Sequence, residues 1–423
     1  MKKTLKRLIA LLLATGMLAS AMACASGDDP KETEASTQGG TTVSEDDTSY
    51  KPADTDSGDQ TEPPSTTAAL TDEATEKAEE TTDGIPEVMK DPVKAEKINQ
   101  LLDLKHTLRV DENGNFKVLV LSDVQFNTPD ISEETLTNIE TIVSREQPDL
   151  VIFNGDNSSG LRRAKDVRAY VTKMTQYLEE NHIPWAHVYG NHDSEPWRPA
   201  LEKEKQQEVY EEFEYCLSKA GEEGLYGVGN FVLPVLEHDS DRIAFNVWCF
   251  DSGTGGIYSD ANIPLDVTYG IDTFYSHYDR MEMNQVEWFR ESSALLAAYN
   301  GAPVPGMMAF HIPLQETSFA WAARIANNLE WTGERRENIS AHAKDVPLFD
   351  AALENNILAI VNGHDHINDF MVKYRGIRLC YTACIGTYEY HADDMLGGRV
   401  VEFNTATPDD VNTYMSYVKE RTN

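Results

Sequence analysis

Short apolar runs alternate with amphipathic stretches through most of the chain. FKVLVLS (116–122), DLVIFNG (149–155) and IPWAHVYG (183–190) are each bounded by turn residues and read as strands. Residues 132–147 read as a helix, with Ser132 as N-cap and Pro148 beyond its end, and 164–181 and 199–220 read as two more. A weaker helical pattern covers 91–108. Further strands are predicted at 231–238, 243–251, 304–312, 356–363, 377–384 and 399–404, with helices near 284–299 and 348–355. The repeated strand-helix-strand order predicts an α/β fold with a parallel or mixed sheet covered on both faces. So many strands fit two stacked sheets between helices better than one open sheet. There is no internal repeat, no GxGxxG and no Walker-type loop.

The first 90 residues lack this pattern. MKKTLKRLIALLLATGMLASAMAC starts basic, continues apolar from Leu8 to about Ala19, and ends in small residues, the layout of an export signal over 1–23. The apolar part is too short for a stable membrane span. Ala21-Met22-Ala23 satisfies the small-x-small rule of plain secretion. Cys24 followed by an acidic polar tail looks like a bacterial lipoprotein signal, although Ala21 stands where that group usually has Leu. Both readings put the mature protein outside the cytoplasm; the second makes it a lipoprotein held at the cell membrane through Cys24 alone. Residues 24–90 are rich in Thr, Ser, Asp, Glu, Gly and Pro, which predicts a disordered spacer, and the working domain is expected at 91–423.

Residues 25–90 hold 18 acidic and 4 basic side chains, so the spacer supplies −14 of the net charge of −35. The domain still carries −25, which repels a polyphosphate backbone, and nucleic acid is not expected as a partner. Metal cations are attracted. Cys216, Cys249, Cys380 and Cys384 show no zinc-type pairing and read as buried free thiols.

Polar residues gather where the strands end: Asp123 after VLVLS, Asp156 after VIFNG, Asn191 and His192 after WAHVYG, His311 after MMAF, and His364 and His366 after AIVNG. Each has a plain explanation alone. An aspartate there can be a loop or N-cap residue, Gly190-Asn191 can be a turn, and His311 can be a satisfied core histidine. Together they are hard to explain so, because the carboxyl ends of parallel strands share one rim. Carboxylate, imidazole and carboxamide donors suit Mn, Fe or Zn, and their number suits two ions. Two adjacent ions can clamp the attacking and leaving oxygens of a phosphoryl displacement, the nucleophile coming from a metal-bridging water of lowered pKa.

These blocks, in this order, resemble the calcineurin-like metallophosphoesterase superfamily. Its pattern stands here as Asp123-Val124-Gln125, Gly155-Asp156-Asn157, Gly190-Asn191-His192-Asp193, His311, and Gly363-His364-Asp365-His366. AFHIPLQE and NGHDHINDF look like the branch with Dcr2-like phosphatases and the plant proteins similar to purple acid phosphatase 29. The resemblance implies a four-layer αββα sandwich of two mixed sheets. It also implies one metal held by Asp123, Gln125, Asp156 and His366, and a second by Asp156 as bridge, Asn191, His311 and His364. His192 would contact the phosphoryl group and protonate the leaving group, with Asp193 orienting it. Gln125 departs from the family, where His is usual, and puts the metal's identity in question. Three positions after Asp156 stands Ser159, so the tyrosine ligand of true purple acid phosphatases is absent.

Asn157 and Arg162 are candidate substrate contacts, Asn157 toward a phosphoryl oxygen and Arg162, beside Arg163, toward a distal phosphate. The insertions at 195–230, 252–283 and 314–345 should wall the site and select the substrate, a small or lipid-linked phosphate ester. Two other classes compete. A solute-binding lipoprotein of a transporter shares the cysteine, spacer and α/β body but needs no such ligand set. A metal-binding pseudoenzyme without turnover has Gln125 as its support.

Overall fold

Three of the expected strands form the heart of one sheet. The computed structural model describes residues 86–195, 200–254, 278–342 and 346–421. The export signal, Cys24, most of the spacer and parts of the insertions lie outside the described residues. Folded structure begins slightly earlier than Asp91, with a 3-10 turn at Glu87–Lys90 leading into helix α1 (Pro92–Leu102), capped by the Asp91 carboxylate.

The smaller sheet runs β13 (Val411–Tyr417), β12 (Gly397–Asn404), β2 (Asn115–Leu121), β3 (Leu150–Asn154), β4 (Trp185–Val188), the last three parallel. The larger runs β1 (Leu108–Arg109), β5 (Phe231–Leu236), β6 (Ile243–Cys249), β7 (Gly306–Ala309), β9 (Ile357–Asn362), β11 (Ile377–Tyr381), β10 (Met371–Tyr374), β8 (Trp331–Thr332). Here β6, β7, β9 and β11 are parallel neighbours, and both sheets are mixed.

Apolar side chains from facing strands fill the space between the sheets: Val118, Val120 and Ile152 from one, Phe245, Val247, Ala309 and Val361 from the other. On the outer face of the smaller sheet lie α2 (Glu133–Glu146), α3 (Ala164–Glu180) and α4 (Lys203–Tyr210). The larger sheet is covered by α5 (Met283–Asn300), α6 (Gln315–Ala323) and α7 (Leu348–Glu354). This is the expected αββα sandwich. Both faces of β3, β4, β6 and β7 are buried, which is why these strands read as continuous apolar runs.

α2 begins as its sequence implies: Ser132 Oγ accepts the Thr135 N–H, and Ile139, Ile142 and Val143 face the sheet. The helix expected at 199–220 is a correction, because α4 ends at Tyr210. Beyond it the chain becomes extended so that the backbone of Tyr215 and Leu217 can bond both sides of Trp185 on the outer edge of β4. The four domain cysteines are buried and free. No helix among the described residues is long and apolar enough to cross a membrane.

Candidate active site

Five strand ends meet on one rim: β2 delivers Asp123 and Gln125, β3 Asp156, β4 Asn191 and His192, β7 His311, and β9 His364 and His366. The two sheets are pinned together there by Asn154, whose side-chain amide donates to the carbonyls of Phe310 and Val361 at 3.2 Å each. The Asn154 carbonyl accepts from His311 Nδ1 at 2.9 Å. A carbonyl can only accept, so the proton sits on Nδ1 and Nε2 is turned toward the carboxylates. His366 is set the same way, by the Tyr390 carbonyl at 2.7 Å, with its ring stacked on that of Tyr390.

Close packing of the loops depends on glycine. A Cβ at Gly190 would lie 2.2 Å from the Asp156 backbone nitrogen, and one at Gly363 would lie 1.9 Å from Ser122 Oγ. Asp123, Gln125, Asp156 and His364 all have left-handed backbones, with φ of 58°, 57°, 48° and 76°. Such strain in non-glycine residues persists where the surroundings impose it and clusters at functional sites.

All seven predicted ligands are buried, none more than 8% exposed. His311 Nε2 lies 3.1 Å from Asp156 Oδ2 and 3.8 Å from Asp123 Oδ1, and His366 Nε2 lies 3.4 Å from Asp123 Oδ1. Donor atoms of Asp156, His311 and His364 fall within 4.8 Å of one another. Among the described residues, five buried donor atoms of the predicted ligands make no hydrogen bond of good geometry: Asp123 Oδ1, Gln125 Oε1, Asn191 Oδ1, and Nε2 of His311 and His364. Orphaned buried polar atoms are costly, and here all five are metal donors, so the residues fit a cation site.

Without a metal, protons must balance the charge. Burial tends to lower the pKa of His311, but Asp156 and Asp123 outweigh it and push the imidazole up to about 10. For His366 burial is likewise overcome, chiefly by Asp123, and the ring rises to about 9. Burial would raise the pKa of Asp156 as well, yet His311 and His192 hold it far below the usual carboxylate range. His364 is lowered to about 3 by burial and by His311, so it is already neutral and ready to bind metal.

Binding a divalent ion at neutral pH must therefore displace protons from His311 and His366. We expect the apparent metal affinity to rise between pH 6 and 8.5 by roughly a hundredfold per unit if both protons leave. Calorimetry in buffers of different ionisation enthalpy measures the protons released; an affinity independent of pH would contradict the proposed ligand set.

Two sequence expectations change, those for Asp193 and Asn157. Asp193 does not orient His192: its buried carboxylate accepts the backbone N–H groups of Gly190, Asn157 and Ser158, at 2.8, 3.2 and 2.8 Å, and fastens the β3 loop to the β4 loop. The group against His192 Nδ1 is Glu195. Asn157 does not offer its amide to a phosphoryl oxygen, since it donates to the Val188 carbonyl at 2.7 Å and lies near Asp193. Arg162 stands apart from the metal ligands. It lines a groove of about 830 Å³ between the loops that follow Asp123 and Asp156, with Asn127, Thr128 and Ser159.

Sequence reading missed Glu195, Asn154, Tyr390 and Tyr278, whose ring meets the edge of His364 at 4.5 Å. Only Glu195 left a signal there, as an acidic residue three positions beyond His192.

A family model described as calcineurin-like phosphoesterase matches residues 116–368. Among curated proteins, the chain is 27% identical over 334 residues to probable inactive purple acid phosphatase 14 of Arabidopsis thaliana, covering 70% of this chain and 77% of that protein. It is 26% identical to probable inactive purple acid phosphatase 29 of the same plant, over 68% and 75% of the two chains. Phosphatase DCR2 of Saccharomyces cerevisiae is 22% identical over 65% of this chain, which spans 48% of that longer protein.

Proposed function

The chain belongs to the calcineurin-like phosphoesterase family, and on that premise we propose that it hydrolyses phosphate mono- or diesters with two divalent ions of Mn, Fe or Zn. The observation that carries this reading is the buried Asp123, Asp156, His311, His364 and His366 cluster, together with the five ligand donor atoms left without a hydrogen bond. Asp123, Gln125, Asp156 and His366 would hold one ion, and Asp156, Asn191, His311 and His364 the other. Bound there, the ions supply Lewis-acid charge and make water nucleophilic at neutral pH.

The chain's own residues do the rest. His192 is the one imidazole of the set with substantial exposure, its side chain 32% accessible, and its Nε2 lies 3.9 Å from Asp156 Oδ2. That places the ring between the ligands and incoming substrate. Its pKa is raised: burial opposes the charged form, but Asp156 and Glu195 favour it. As the water oxygen bonds to phosphorus, the bond to the leaving oxygen breaks with its electron pair on that oxygen. His192 Nε2 would protonate it, releasing the alcohol; one of the water's protons stays on the phosphate product and the other passes to solvent, from which His192 is reprotonated.

The groove beside Arg162 suits a leaving group that carries an anionic or polar substituent. Among the described residues the Arg162 side chain has no ionic or hydrogen-bonded partner, whereas Arg163 is held by Asp166. Arg162→Ala should raise KM about fivefold for an ester with a charged leaving group and leave kcat unchanged, the scale of an exposed ion pair. An equal KM rise for p-nitrophenyl phosphate would contradict that role.

Gln125 bears on the metal. A carboxamide oxygen is a weaker donor than imidazole and suits Mn or Mg, so Gln125→His should strengthen Zn binding relative to Mn by about tenfold or more. Competitive metal titration checks this; an unchanged preference would place Gln125 outside the ligand shell.

We place the protein outside the cytoplasm, tethered through a lipid on Cys24, on the strength of the leader sequence. The substrate is a small or lipid-linked phosphate ester; nucleic acid is disfavoured by the acidic surface. Assay of the chain against aryl and alkyl phosphate mono- and diesters, with added Mn or Zn and with chelator, tests the activity. Chelator-sensitive hydrolysis is the expected result. Metal binding with no ester cleaved would favour the non-catalytic reading, in which Gln125 marks a protein that retains the ions without turnover.

A further inference from the structure

His192 is anchored at three points. Its backbone N–H donates to Asp156 Oδ1 at 2.7 Å, its Nε2 faces Asp156 Oδ2, and its Nδ1 contacts Glu195 Oε1. The neighbouring Asp193 cannot serve the ring, because its carboxylate is taken by the amides of Gly190, Asn157 and Ser158. Glu195 is buried, 3% exposed, while His192 reaches the mouth of the site.

An imidazole can turn over about its Cβ–Cγ bond, exchanging which nitrogen points inward, and its proton can sit on either nitrogen. A carboxylate in ion-pair contact with Nδ1 acts against both freedoms: it accepts only from N–H, so it favours the proton on Nδ1 and the orientation with Nε2 toward the ligands. The chain holds His311 and His366 by the same principle, with backbone carbonyls on Nδ1. At His192 the partner is the Glu195 side chain, which lies on the Nδ1 side of the ring.

We propose that Glu195 is the positioning residue of His192, fixing the ring so that Nε2 is presented to the leaving oxygen. This rests on the hydrolytic reading of the site. The contact places Glu195 Oε1 against His192, which is outside the proposed ligand set, so its loss should leave the ions in place.

The test is a double-mutant cycle on the full chain with two esters. For phenyl phosphate, whose leaving oxygen needs a proton, Glu195→Ala should lower kcat by roughly a hundredfold, the low end of general-acid contributions. For p-nitrophenyl phosphate, whose leaving group departs unprotonated, the loss should be severalfold at most. In a His192→Ala background Glu195→Ala should add nothing, and Glu195→Gln, which keeps an acceptor oxygen, should restore part of the rate. Bound metal should be unchanged throughout. Equal losses with both esters, an additive loss in the His192→Ala background, or loss of metal would overturn the proposal.

A second measurement does not need turnover. Nitrogen-15 spectra of the zinc-treated chain, assigned with His192→Ala, should show the His192 proton on Nδ1 in the wild type and redistributed in Glu195→Ala. A proton on Nε2 alone, or no change in the variant, would overturn it even if no ester is cleaved. Absence of hydrolysis with the expected spectra would instead defeat the hydrolytic reading and leave the orientation standing.

Discussion

Asp156→Asn is expected to remove metal-dependent hydrolysis while leaving the fold intact. Asparagine tolerates the left-handed backbone that Asp156 adopts, with φ 48°, and its carbonyl oxygen can still accept the His192 N–H. What disappears is the negative charge shared between the two proposed ions. Lewis-acid stabilisation amounts to several kcal/mol, so kcat/KM should fall about a thousandfold or more. Breaking a buried ion pair typically costs about 3–5 kcal/mol, but His311 can release its proton once Asp156 is neutral, so the metal-free fold should lose less than that. Elemental analysis, kinetics and a thermal melt on one preparation decide the matter. Two ions retained with normal turnover would show that Asp156 is not the bridge.

Gly190→Ala should be nearly as damaging by a different route. The added methyl would sit 2.2 Å from both the backbone nitrogen and Oδ1 of Asp156, and neither is the free end of a flexible side chain. The β4 loop must therefore move away from the β3 loop. That move breaks the 2.7 Å bond between His192 and Asp156 and the bonds by which Asp193 ties the loops together. Overpacking of this kind costs about 1–3 kcal/mol, occasionally more. We expect metal binding to be lost together with several degrees of Tm. A variant with wild-type metal content and stability would mean that the two loops are not packed as described.

The residues at the proposed centre were readable in sequence because of how the sandwich is built. Parallel strands buried on both faces appear as nearly unbroken apolar runs, so the polar residues two or three positions beyond each strand's end mark the rim. Asp123, Asp156, Asn191, His311 and His364 follow that rule. Elements buried on one side only, or not at all, gave no such signal. β13 is an edge strand with half-exposed residues, β8 is two exposed residues, and α6 has no side-chain cap. β10 could have been found, since Arg375-Gly376, both with positive φ, close its two-residue hairpin with β11.

The partners of the ligands were hidden for a different reason. Asn154 holds two strands of the opposite sheet, more than 150 positions away, and Tyr390 supplies a carbonyl from a loop. Tertiary contacts of that kind leave no local pattern. Glu195 was missed for the same reason: the resemblance implied Asp193 as the partner of His192, but the turn aims the Asp193 side chain at backbone amides and brings Glu195 to the ring.

The central claim is that this rim holds two ions that act together on a phosphate ester. The most direct measurement is a titration of the metal-free chain with Mn, following bound metal and p-nitrophenyl phosphate hydrolysis in the same samples. Binding should saturate at two ions per chain, with hydrolysis appearing as the second ion binds and vanishing with chelator. Full hydrolysis by the metal-free chain, or two bound ions with no phosphate ester turned over, would contradict it.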